Sequence, residues 1–116
     1  MITALIAAAI AAQVPSAGVG YEQLVAGQNE AAISVIGERG AATRDPARLI
    51  NLGTAHARNG DVEEARRMFV RAYYSRDWVE LETATGAWVD SRTLARQALA
   101  MLDRGEFVRT SQFARK

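Results

Sequence analysis

The chain has 116 residues, 49% of them hydrophobic, enough for one compact domain and too few for a second of ordinary size. Its 14 basic and 13 acidic side chains leave a net charge of +1, so no strong overall field draws in a nucleic-acid backbone. With no cysteine, disulfides, thiolate catalysis and cysteine metal sites are excluded.

Residues 1–12, MITALIAAAIAA, are uncharged and apolar. A bilayer-spanning helix needs about 20 residues, whereas a secretory apolar core needs about 7–15, so the run fits the second better. Ala9-Ile10-Ala11 supplies a small-x-small pattern, and Gln13-Val14-Pro15-Ser16 then breaks any helix. The run departs from the usual pattern in having no Lys or Arg before it. Residues 1–17 are expected to be a signal peptide of a periplasmic or secreted protein. The other reading is an apolar N-terminal segment retained by a cytoplasmic or membrane-anchored one.

Residues 18–105 read as a single, mostly α domain. Tyr21–Ala26 is predicted helical, Gly27 breaks it, and a second helix starts near Asn29 with Ala32, Ile33 and Ile36 on one face, ended by Gly37 and Gly40. Asp45-Pro46 is a strong helix start, because the carboxylate accepts a free backbone N–H and proline gives up a donor that has no partner there. Leu49, Leu52 and His56 follow at helical spacing, and Asn59-Gly60 supplies a left-handed stop. Asp61-Val62-Glu63-Glu64 then places an acidic cap and acidic first turn before the stripe Val62, Ala65, Phe69, Ala72 and Tyr73. So short a turn requires the two helices to lie antiparallel, with Gly53 and Ala65 at the close contact.

The string LINLGTAHARNGDVEEARRMFVRA resembles a tetratricopeptide repeat, a helical hairpin of about 34 residues. Its signature positions fall on Leu49, Leu52, Gly53, His56, Gly60, Ala65, Phe69 and Ala72. His56 replaces an aromatic, and the closing proline expected near Asp77 is missing. Gly27, Glu30, Ala32 and Ile36 precede Gly60, Glu63, Ala65 and Phe69 by the same 33 residues, so the first hairpin is similar to a degenerate repeat. The resemblance covers about residues 20–76.

After Arg76 the pattern becomes alternating. Trp78–Thr83 and Ala87–Asp90, separated by Ala84-Thr85-Gly86, read as a β-hairpin, with a degenerate repeat helix as the competing reading. Asp90-Ser91 caps a last helix, Arg92–Asp103, with Leu94, Ala98, Met101 and Leu102 on one face and Gly105 at its end. Trp78, Leu81 and Trp88 are expected to pack the hairpin over the open side of residues 61–75. Residues 106–116 form a basic tail, with Arg109, Arg115 and Lys116 among Phe107 and Phe113.

The resemblance implies a noncatalytic binding or scaffolding module whose first repeat helix lines a groove for a protein or peptide. It assigns Ile50, Asn51, Thr54 and Arg58 to that groove, beside Ala47 and Ala57. Asn51 and Arg58 are its polar contacts, since an amide pairs with peptide backbone and a guanidinium with carboxylate. The alternative is a structural subunit of an assembly. Self-association is a further expectation, because stacked repeats usually number about three. Membrane contact is expected only through the N-terminus or the basic tail. A single histidine without cysteine, and no nucleophile motif or phosphate loop, argue against an enzyme, a metal or a cofactor.

Overall fold

The structure, a computed structural model, describes residues 20–40, 44–83 and 85–107. It contains α1 (Tyr21–Val25), α2 (Asn29–Gly40), α3 (Pro46–Arg58), α4 (Val62–Tyr73), β1 (Glu80–Glu82), β2 (Trp88–Asp90) and α5 (Ser91–Asp103). The fold is thus mostly helical, with a small antiparallel sheet and a C-terminal helix. Residues 1–17, on which the signal-peptide reading falls, lie outside the described residues, as do residues 108–116 of the tail. Among the described residues no helix is long and apolar enough to cross a membrane.

The start of α3 follows its sequence closely. Asp45 Oδ1 accepts the N–H of Ala47 at 3.1 Å, and Pro46 occupies the first turn. The helix stops at Asn59-Gly60, where Gly60 takes φ +85°, a conformation that a Cβ would oppose. The start of α4 differs from expectation. Asp61 makes no side-chain capping bond, because its carboxylate lies 3.6 Å from His56 Nδ1, so the first turn relies on Glu63 and Glu64 to complement the helix dipole.

α3 and α4 pack against each other more extensively than any other pair of elements. Gly53 makes this possible: a Cβ there would meet the Phe69 ring at 2.6 Å. Ala65, Met68, Phe69 and Ala72 form the buried face of α4, with Val62 and Tyr73 at its margins. α2 runs through Gly37 to Gly40, so Gly37 does not end it as expected. An internal glycine costs only about 1 kcal/mol relative to alanine, which burial of Ala32 and Ile36 on the same helix offsets.

β1 and β2 pair antiparallel with Leu81 opposite Val89, Glu80 opposite Asp90 and Glu82 opposite Trp88. The alternation sends Leu81 and Val89 into the core, while Glu80, Glu82, Trp88 and Asp90 share the opposite face. Ser91 fastens the sheet to α5: its Oγ accepts the N–H of Val79 at 3.1 Å, and its own N–H donates to the Val79 carbonyl at 2.8 Å. α5 then lays Leu94, Ala95, Ala98, Met101 and Leu102 against α4 and α3. The core continues past the expected boundary at residue 105. Phe107 is buried, and its ring stacks on Phe69 with centroids 5.8 Å apart, so it belongs to the domain and not to the tail.

Asp90 is the cap of α5, its Oδ1 accepting the N–H of Arg92 at 2.8 Å. The Arg92 side chain also grips this carboxylate at 3.0 and 2.6 Å and holds its pKa below the usual value. A lowered folded pKa means that the stabilisation is complete above the unfolded pKa and is lost as pH falls through the folded one. Asp90→Ala should therefore cost about 1 kcal/mol in urea unfolding at neutral pH. Its deficit relative to wild type should shrink in acid below the ordinary aspartate range, and a deficit unchanged there would show that the carboxylate charge plays no part.

Candidate interaction surfaces

The side chains that the sequence assigns to a groove are not on the surface. Ile50, Asn51 and Thr54 are each 0% exposed, as are Ala47 and Ala57. Thr54 Oγ1 donates to the Ile50 carbonyl at 2.8 Å, within the same helix. α3 is contacted by α1, α2, α4 and α5, so the face that an extended repeat array would present to a ligand is covered by the chain itself. The groove expectation for Ile50, Asn51 and Thr54 is corrected on this point. Arg58 is half-buried and faces inward: Nη1 donates to the Leu24 carbonyl at 3.0 Å and lies 3.5 Å from Asn29 Oδ1. It ties the end of α1 to α3, and its burial pushes its pKa below the ordinary guanidinium value.

The signature positions are structural. Leu49, Leu52, Gly53, Ala65, Phe69 and Ala72 are buried at the helix contacts, Gly60 turns the chain, and His56 is partly buried beside Asp61. Among the described residues no three His, Cys, Asp or Glu side chains are grouped as a metal site would require.

The surface has a different character where α4, the hairpin and α5 meet. Tyr74 is 75% exposed, Trp78 47% and Trp88 50%, so the two tryptophans do not close over α4 as expected; Leu81 supplies that burial instead. Hairpin register explains this. Trp88 opposes Glu82 on the outward face, and Trp78, two residues before Glu80, lies under the Arg92 guanidinium at 4.0 Å from its ring centroid. Cation–π stacking of this kind holds an exposed ring in place.

Two clefts flank Tyr74. The first, about 480 Å³, is lined by Arg44, Arg71, Arg76 and Asp77 together with Leu49 and Ser75. The second, about 430 Å³, is bounded by Tyr73, Asp90, Arg92, Thr93 and Arg96. Tyr74 is common to both, and its ring meets that of Tyr73 edge-on with centroids 4.9 Å apart. Ser75 assembles the first cleft. Its Oγ donates to the Arg44 carbonyl at 3.2 Å and accepts the N–H of Asp77 at 3.1 Å, which brings the segment before α3 and the loop after α4 together.

Neither the arginines of this cleft nor the exposure of the tryptophans was apparent from the repeat pattern. Arg44, Arg71 and Arg76 are scattered through the sequence, and only the change from helical to alternating periodicity after Arg76 marks the region as distinct. Comparison with family models, curated proteins and solved structures gave no match for the chain.

Proposed function

We propose that this chain is a noncatalytic interaction module of tetratricopeptide type that binds a protein or peptide through its exposed aromatic rings, Tyr74, Trp78 and Trp88. The exposure of these three large rings carries the reading. The chain has only eight aromatic residues in all, from 2 Trp, 3 Tyr and 3 Phe, and a domain this small gains more by burying such rings than by leaving them in water. Interfaces use tryptophan, tyrosine and arginine as their anchors, and all three types are gathered here. The helix pair around Gly53 and Phe69, with the signature residues in its contacts, supports the repeat assignment. A cell-envelope assembly is the setting favoured by the apolar composition of residues 1–12.

The test is affinity capture from the protein's own cells with wild type and with Trp78→Ala/Trp88→Ala, folding being checked by circular dichroism. The double variant should retain its helix content and lose at least about tenfold of any specifically captured partner. Equal capture by the two proteins would overturn this assignment of the surface.

A further inference from the structure

We infer that the cleft between Arg44, Arg71 and Arg76 is a binding site for the carboxylates of an extended acidic peptide, with Tyr74 as the platform between two points of attachment. This rests on the chain being a binding module and names the chemistry of its partner.

Charge is the first support. Three guanidinium groups line one cleft of about 480 Å³, and Asp77 is the single carboxylate among its lining residues. Arg71 also complements the carboxyl end of α4, where its positive charge is favourable, but Arg44 and Arg76 lie outside any helix and have no such role. Both are exposed. Guanidinium is a planar fork that matches a carboxylate in two parallel hydrogen bonds.

Construction is the second support. The Ser75 hydroxyl is committed to the Arg44 carbonyl and the Asp77 N–H, so the backbone that carries Arg44, Arg76 and Asp77 is tied at the cleft before any ligand arrives. Holding the backbone in advance lowers the ordering cost of binding. On the far side of Tyr74, Arg96 is exposed in the second cleft, while Arg92 is engaged with Asp90. A peptide lying across the Tyr74 ring meets Arg44 and Arg76 in one cleft and Arg96 in the other, with an apolar side chain over the ring.

Asp77 favours a peptide over a phosphate backbone: its exposed carboxylate interrupts the positive lining of the cleft, which opposes an unbroken row of phosphates more than carboxylates spaced along a peptide.

The experiment is fluorescence anisotropy of the full chain with labelled hexaglutamate, with hexaglutamine and short oligothymidylate as comparison probes. Hexaglutamate should bind, weakening as salt is raised, and hexaglutamine should not. Arg44→Gln/Arg76→Gln, two exposed positions, should weaken binding roughly tenfold with an unchanged circular dichroism spectrum. Asp77→Asn should tighten it about twofold, an outcome that misfolding cannot produce. The inference is overturned if hexaglutamine binds equally well, if the arginine substitutions have no effect, or if oligothymidylate binds more tightly than hexaglutamate. Should these fail while Trp78→Ala/Trp88→Ala still abolishes partner capture, the module reading stands and only the acidic specificity falls. The reverse pattern would locate binding in the cleft and remove the tryptophans from it.

Discussion

Phe69→Ala should be the most damaging single substitution in the chain, costing about 3–5 kcal/mol of stability. Phe69 is 0% exposed, and it is the point where three segments meet: it fills the space left open by Gly53 of α3, it is the centre of the buried face of α4, and it stacks on Phe107 after α5. Truncation removes the ring's burial and leaves a cavity walled by three segments, which cannot all collapse into it. Domains of this size have a total stability on the order of 5–15 kcal/mol, so the substitution removes a large fraction of it. Urea unfolding followed by circular dichroism measures this directly. A loss under about 1 kcal/mol would mean that the three segments close without the ring, and the packing described for α3, α4 and Phe107 would be wrong.

Gly53→Ala should produce the second largest effect, about 1–3 kcal/mol, from the opposite cause. An added Cβ lies 2.6 Å from Cε1 and 2.8 Å from Cδ1 of Phe69, closer than carbon atoms approach. The ring cannot swing away, because it is enclosed and stacked on Phe107. Alanine otherwise favours a helix over glycine by about 1 kcal/mol, so any net loss understates the clash by about that amount. The direct check is a double-mutant cycle. Gly53→Ala combined with Phe69→Leu should be less destabilised than the sum of the two single variants, with a coupling of roughly 0.5–3 kcal/mol. Additive effects would show that the methyl group and the ring do not meet.

Both predictions concern the part of the chain whose local structure was most readable. Asp45-Pro46, Asn59-Gly60 and the spacing of Leu49, Leu52, Ala65, Phe69 and Ala72 place both ends of α3 and the start of α4 to within a residue, because capping and helical periodicity are local properties. The hairpin and α5 were readable for the same reason: Leu81 and Val89 alternate with polar neighbours, and Asp90 is a cap whose bond is present at 2.8 Å. Where expectation departed from structure, a competing interaction is responsible: Asp61 turns back to His56 across the turn instead of capping α4, and burial of Ala32 and Ile36 carries Gly37 inside α2.

The candidate sites divide along the same line. By itself the sequence determined the helices, the caps at Asp45 and Asp90, the hairpin and the apolar stripes, since each depends on residues within a turn or two of one another. It also determined the absence of a cysteine site and of a strong net field. Only the tertiary structure decided which surfaces are open. Periodicity marks the faces of α3 but not how many neighbours it has, and α1, α2, α4 and α5 together bury Ile50, Asn51 and Thr54. Likewise, hairpin register turned Trp88 outward, Arg92 came to lie over Trp78, and Ser75 brought Arg44 beside the loop that carries Arg76. Burial and the meeting of distant charges depend on what the rest of the chain places opposite a residue, and no local pattern records that.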